Sequence, residues 1–448
     1  MAAPITINTP IQFDGALPES VDVVIIGGGV VGIFSALYLS RLGKRVLVCE
    51  KGRVAGEQSS RNWGWIRQHG RDAAELPITT QALKLWHEID AETGGACGVK
   101  TLGISYLASN QKELAKLHEW MAIAEQFGMD SHALSQQQVN KLFTQPTNGQ
   151  WLGGTCTPSD AKAEPWQAVP AVAKLAHSEG VLIRENCAVR DLCIEAGQVT
   201  AVETERGEVK CTQVVLCGGA WSALVARRLG VHVPQLSVEA TVVQTAPMDV
   251  GVESSWVDEE LSMRQRVDGG YSLACADRHG VLIGPDSFRY ASRYIPLLKR
   301  SWHDIQLQGA SRKDYPDAWT IKRNWRTGER TPFEQSRVLE PPSHAGRVAS
   351  IRARFAKRFP HLGEPTILRS WSGMIDAMPD VVPVVDAVDH IAGFYLATGM
   401  SAHGFGIGPG YGRIVARMLA GLPQEHDLQR FRLSRFTDGS TLEVGPSL

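Results

Sequence analysis

The stretch Val21–Glu50, VDVVIIGGGVVGIFSALYLSRLGKRVLVCE, decides the fold. It opens on a short apolar run, Val21–Ile26, broken only by Asp22 and mostly β-branched. That is the composition of a parallel strand buried on both faces. Gly27, Gly29 and Gly32 follow in G-x-G-x-x-G spacing, then a helical pattern to Leu42, a stop at Gly43 and a second apolar strand, Arg45–Cys49. Strand, glycine turn, helix and strand in this order are the context in which the spacing signals a dinucleotide fold.

The glycines have separate tasks. Gly27 permits the tight turn, Gly29 lets the backbone approach a pyrophosphate, and Gly32 lets helix and strand pack closely. The helix N-terminus offers unpaired N–H groups to the phosphates. Glu50, 18 residues beyond Gly32, is placed to accept hydrogen bonds from a ribose. Its charge disfavours a 2′-phosphate, which points away from NADP.

The 448-residue chain has room for two substantial cores. Hydrophobic content of 43% and charged content of 21% are those of an ordinary globular protein. A net charge of −1 leaves no electrostatic footprint for nucleic acid or an anionic membrane surface. Residues 1–20 lack the basic and apolar regions of a signal peptide, and no apolar run is long enough to span a membrane. Eight scattered cysteines form no C-x-x-C pair and read as reduced thiols of a cytoplasmic protein. The thirteen histidines show no ligand spacing, so no metal site is expected. Neither G-x-S-x-G nor a Walker A sequence occurs.

Residues 51–72, KGRVAGEQSSRNWGWIRQHGRD, hold four Arg and two Trp with little apolar periodicity. A loop so rich in large side chains reads as lining a site. Helical patterns follow between 79 and 128 and at 133–143, then an amphipathic helix Trp166–Glu179. Gly180–Ser222 alternates strands and turns: a strand Val181–Arg184, a three-stranded hairpin pattern, and the run Gln213–Cys217 ending in Gly218-Gly219. From Val231 to about Pro360 the chain is β-rich, with helices expected near Arg293–Gln306 and His344–Arg358. The final third contains RSWSGMIDAMPDVVPVVD (369–386), a strand Phe394–Ala397, then TGMSAHGFGIGPGYG (398–412) and a helix Ile414–Leu419. Six glycines in those fifteen residues read as a second backbone cradle.

DVVIIGGGVVG, ENCAVRDL, VVLCGGAWS, the W-x-G…MPD-x-x-P segment and GMSAHGFGIGPGYG together resemble the D-amino-acid-oxidase-like flavoproteins, which include glycine oxidase, monomeric sarcosine oxidase and amine dehydrogenases. The resemblance runs from about residue 20 to 422. It implies an α/β fold: an FAD-binding Rossmann-type (GR2-like) domain with a mixed α+β substrate domain on an antiparallel sheet. The expected boundaries are 20–80, 151–228 and 362–425 for the FAD domain, 81–150 and 229–361 for the substrate domain, and 1–19 and 426–448 as extensions.

The resemblance further implies elongated FAD held by Gly27, Gly29, Val30, Val31, Gly32, Glu50 and Lys51, with the Cys187–Val189 turn (Ala188, Val189) near the adenine. Ser59, Ser60, Arg61, Asn62 and Trp63 would meet the pyrophosphate and ring, joined by Cys217, Gly218, Gly219, Trp221 and Gly373. Met400, Ser401, His403, Gly404, Phe405 and Gly406 would lie against the isoalloxazine. Two departures stand out. Relatives that hold flavin covalently use a C-terminal cysteine, but none follows Cys275 here, so FAD is expected to bind non-covalently. The lysine that relatives place after the GHGF-like phenylalanine is Gly406. Arg67 then aligns with a carboxylate-binding arginine, whose planar fork suits that task.

The implied chemistry is oxidation of a C–N bond in an amino acid or a carboxylate-bearing amine. The expected catalytic set is Arg67, His403, Tyr271 and Trp371, with Trp63, Trp65 and Phe405 as further walls. No Lys occurs from Cys211 to Leu298, and Lys322 is the later candidate for activating oxygen. An oxidase forming hydrogen peroxide, a dehydrogenase using a quinone or partner, and a flavin-binding subunit of a larger complex all remain open. So does a homo-oligomer.

Overall fold

The computed structural model describes residues 3–276, 279–301 and 305–445. One sheet runs Val384–Ala387, Phe394–Thr398, Gln213–Leu216, Val23–Ile26, Val46–Cys49, Leu182–Arg184. All neighbours are parallel except the edge pair Val384–Ala387 and Phe394–Thr398. Val23 and Ile25 enter the core shared with the helices Val30–Arg41, Pro165–Ser178 and Gly404–Leu419. Val24 and Ile26 enter the opposite core, under a three-stranded antiparallel sheet, Val189–Glu195, Gln198–Thr204 and Gly207–Lys210. Burial on both faces is why the strand sequence is apolar throughout. Val46–Cys49 and Gln213–Leu216 flank the central strand on opposite sides, which opens a crevice at its carboxyl end.

The second sheet has ten strands. Its spine, Leu236–Thr245, pairs antiparallel with Ile367–Ala377 over its full length. Its other edge is shared by Tyr271–Cys275 and His279–Ile283. The sheet continues through Leu261–Gln265, Ser255–Val257, Ile104–Ala108, Gly153–Thr157 and His132–Ser135. Two strand pairs are parallel, Ser255–Val257 with Ile104–Ala108 and His279–Ile283 with Ile305–Ala310. Helix Ala345–Arg358 covers one face, where Ile351 and Phe355 pack with Trp151, Trp256 and Leu273. The other face carries Val242 and Trp371 against Trp166 and Trp63.

Three sequence expectations need correction. Gly153–Thr157 and Ile367–Ala377 belong to this second sheet, although the boundaries at 151 and 362 placed them with the nucleotide unit. Their small and polar residues carry no alternation that reveals the partner sheet. The helix expected near Arg293–Gln306 ends at Ser301, residues 302–304 lie outside the described residues, and Ile305–Ala310 is a strand.

The glycine run divides in two. Gly399 precedes the last long helix, but that helix begins at Gly404, so the other five glycines lie inside it. A Cβ on Gly408 would sit 2.6 Å from the Val30 side chain, and one on Gly412 would sit 2.8 Å from the Phe34 backbone. These glycines bring helix Gly404–Leu419 against helix Val30–Arg41, rather than cradling a ligand.

Candidate functional site

The crevice extends into a long cleft between the two sheets. At its floor Gly27 has φ +111°, and a Cβ there would meet the Cys217 carbonyl oxygen at 2.4 Å. Only glycine fits. The helix beginning at Val30 has no side-chain cap at its N-terminus, but Ser59 Oγ accepts the Val30 N–H at 2.9 Å. Glu50 stands beside this turn and accepts from Gly28 N–H at 2.8 Å and Gly52 N–H at 2.7 Å. Burial pushes its carboxyl up to about 7, against the pull of Lys51. At the far end Gly399, Ser401 and Ala402 take positive φ. Asp376 holds this loop, accepting the N–H groups of Gly399 at 2.9 Å and Met400 at 3.1 Å. Burial pushes Asp376 up to about 6. A turn cradle at one end and a helix N-terminus at the other suit a long dinucleotide.

A strap, Thr331–Leu339, crosses the Glu50 end and puts Phe333 into the cleft wall. Lys51 Nζ donates to Ser336 O at 2.6 Å, Arg337 donates to Lys51 O at 2.9 Å, and Leu339 N–H donates to Glu57 at 3.0 Å. Arg337 also pairs with Glu205.

Beyond the loop 399–403 lies a buried polar cluster. His403 Nδ1 donates to Glu75 at 3.0 Å, and the Tyr411 hydroxyl donates to the same carboxylate at 3.3 Å. Burial, with Arg71 adding to it, pushes His403 down to about 4, so its ring is neutral at pH 7. Burial alone would raise Glu75, but His403 and Arg71 hold it below the ordinary range. Asp160 accepts the Gln68 N–H at 2.8 Å, and burial pushes it up to about 7. Four buried polar atoms here lack a partner: His69 Nδ1, Arg71 Nη1, Asp160 Oδ2 and His403 Nε2. Arg67 is half-buried and donates to the Tyr106 hydroxyl, while Tyr106 stacks on His69 at 3.7 Å. Tyr106 also lines a chamber of about 590 Å³. Leu236, Val238, Val281, Tyr294 and Leu297 make its walls mainly apolar.

The family model described as FAD dependent oxidoreductase (DAO) matches residues 22–418. The chain belongs to this family. It is similar to the β subunit of sarcosine oxidase from Arthrobacter sp., 25% identical over 96% of each chain. It is also similar to the mitochondrial pyruvate dehydrogenase phosphatase regulatory subunit of Mus musculus, 26% identical over 93% of this chain and 44% of that protein. The chain thus spans less than half the length of the first curated relatives it matches. Among solved structures, L-amino acid deaminase from Proteus myxofaciens in complex with anthranilate superposes with a TM-score of 0.90, at 25% identity over 95% of this chain and 96% of that one. Glycine oxidase from Geobacillus kaustophilus, with a TM-score of 0.74 and 19% identity over 93% and 99%, shows the same fold.

For this FAD family member, the cleft walls include Gly27, Gly29, Val30, Val31, Glu50, Lys51, Ser59, Asn62, Val189, Cys217, Gly218, Gly219, Trp221, Met400, Gly404 and Phe405. Other expected contacts do not line it. Gly32 packs helix on turn, its Cβ position lying 2.1 Å from Gly27 O. Ser60 and Arg61 bind the N-terminal segment instead, through Ile5 N–H at 3.1 Å and Ile5 O at 2.8 Å. The Ala188 N–H is taken by Glu205 at 2.7 Å. Gly373 is screened from the cleft by Gln58, Ser401 is tied to Gly399 O and Met378 N–H, and Gly406 packs on Trp65 and Ile66. Trp63 belongs to the cluster with Trp166 and Trp371.

Of the expected catalytic residues, Arg67 and His403 meet in the polar cluster. Tyr271 does not: it faces helix Ala345–Arg358, its hydroxyl donating to Val252 O at 3.4 Å. Trp371 donates to Arg61 O at 3.0 Å and acts as packing between the two units. Lys322 lies at the surface, paired with Glu329. The sequence reading missed Asp376, Arg71, Glu75 and Phe333. A single acid or arginine carries no spacing signal. Only the arginine density of residues 51–72 hinted at Arg71.

Among the described residues, no helix is long and apolar enough to cross a membrane, and no group of three or more His, Cys, Asp or Glu side chains is arranged to hold a metal ion.

Proposed function

We propose that this chain oxidises the C–N bond of a carboxylate-bearing amine with a large apolar substituent, giving an imine that hydrolyses. The observation that carries this reading is Arg67, bound to the Tyr106 hydroxyl where that ring lines the apolar chamber. A guanidinium with donors to spare takes the carboxylate, and the chamber takes the substituent. FAD, bound non-covalently along the cleft, supplies the acceptor for the hydride equivalent. Gly27, Gly29 and Ser59 would hold its pyrophosphate, Glu50 its ribose, and the Met400–Phe405 turn its ring. The apolar walls exclude water and favour the neutral amine from which hydride leaves most readily. The eight free thiols accord with a cytoplasmic setting.

Oxygen is the electron acceptor in the first reading. A second reading, transfer to a quinone or partner protein, is favoured by the placement of lysines. Lys51 is the lysine of the cleft wall, and its ammonium is bound to the strap carbonyls. Lys162 is bound to Gln265 O at 2.6 Å.

The test is an anaerobic panel of amines and amino acids added to the yellow holoprotein, with air readmitted afterwards. Bleaching by bulky apolar amino acids, and not by their amides, is the expected result. Fast recolouring in air identifies an oxidase, and slow recolouring a dehydrogenase. Failure of every carboxylate-bearing amine to bleach the flavin overturns the reading.

A further inference from the structure

We propose that Arg71 is a second guanidinium seat for the substrate's carboxylate, acting beside Arg67. This rests on the carboxylate-bearing substrate proposed above and assigns a further specificity-determining residue to the same site.

Arg71 is 4% exposed, and its Nη1 has no hydrogen-bond partner. A buried guanidinium nitrogen left unpaired is unfavourable, because nothing replaces the water it has lost. The carboxylates nearby bond elsewhere or leave an oxygen open: Asp160 Oδ2, like Arg71 Nη1, has no partner. Glu75 accepts from His403 and Tyr411, and Asp160 accepts twice from Gln68 through Oδ1. Neither carboxylate makes a hydrogen bond to Arg71 Nη1.

The local charge is also unbalanced. Arg67 and Arg71 lie close together: burial, with Arg67 adding to it, pushes Arg71 down to about 9. His69 and His403 are both pushed down by burial and contribute no charge at pH 7. Glu75 offsets one cation. Asp160, raised to about 7, offsets the other only in part. The excess is positive, which favours an anion at this place.

The backbone favours a shared seat. Gly70, at φ +69°, turns the chain between the two arginines, and a Cβ there would lie 3.8 Å from Arg67 Nη1. Arg67 leads to the chamber through Tyr106, so a carboxylate held by both forks leaves its apolar substituent directed into that space. Two guanidiniums offer more donors than one carboxylate can accept, which fixes orientation as well as charge.

The experiment uses the FAD-loaded protein and two unreactive probes of matched shape, 3-phenylpropanoate and 3-phenylpropanamide, titrated by the change in flavin absorbance. In the wild type the carboxylate binds more tightly. Arg71→Gln weakens the carboxylate at least about tenfold and leaves the amide within about twofold. Arg71→Lys, which keeps the charge and loses the fork, falls between and serves alone if the Gln variant does not load FAD. A carboxylate affinity unchanged in both variants overturns the role of Arg71 while leaving the proposed function standing. An equal loss for both probes assigns Arg71 a structural role and also overturns the proposal. A wild type that does not prefer the carboxylate overturns the proposed function, and this inference with it.

Discussion

At the level of single residues, Glu50 carries two loads, holding the Gly28 and Gly52 N–H groups and lining the cleft, where the proposed function gives it the ribose. Glu50→Ala is expected to weaken FAD binding roughly tenfold, as loss of one charged acceptor should, read from the fluorescence of released flavin. Gly27 and Glu50 were legible in the sequence because their constraints are local: a turn, a strand end and a fixed interval. Glu75 was not, since its partner His403 lies 328 residues away. Tyr271 was misassigned for a related reason. An aromatic residue in a strand can face either side of a sheet, and the side Tyr271 faces is covered by helix Ala345–Arg358, a separate part of the chain.

At the level of elements, the helix pair Val30–Arg41 and Gly404–Leu419 depends on bare backbone at the crossing. Gly412→Val places its branches into the Phe34 backbone and should cost about 1–3 kcal/mol or more. A lowered urea midpoint with an unchanged slope is the expected readout. The strap Thr331–Leu339 makes a different prediction. Arg337→Ala removes the ion pair with Glu205 and the hydrogen bond to Lys51 O. FAD should then dissociate faster, with little change in the flavin spectrum before it leaves. Unchanged release would mean that the strap does not retain the cofactor. The sequence disclosed the helices and most strands by periodicity. It did not disclose the strap, which has little regular structure and is defined by what it crosses.

For the whole molecule, four carboxyls, three of them buried and Glu50 half-buried, share one direction. Burial raises Glu50, Asp160 and Asp317 to about 7 and Asp376 to about 6. Groups raised in the folded state bind protons that the unfolded chain has released. Their contribution to stability is therefore complete below the unfolded values, near 4, and is lost as pH rises through 6 to 7. The protein should melt at a higher temperature near pH 5.5 than near pH 8. Asp160→Asn, which keeps the acceptor used by Gln68, should flatten part of that slope.

The nucleotide sheet also has a consequence for how the protein is made. Its central strand is Val23–Ile26, and two positions away stands Phe394–Thr398, which carries the edge strand Val384–Ala387 and leads into the loop 399–403. A ribosome exposes the first of these early and the second only after more than 360 further residues. Until then, the nascent chain lacks part of the cleft wall, Ala397–Phe405, and carries an unpaired sheet edge at Gln213–Leu216. FAD capture should therefore be a late event in synthesis. Two separately produced fragments, divided in the loop before Ala345, should bind flavin only after they are mixed.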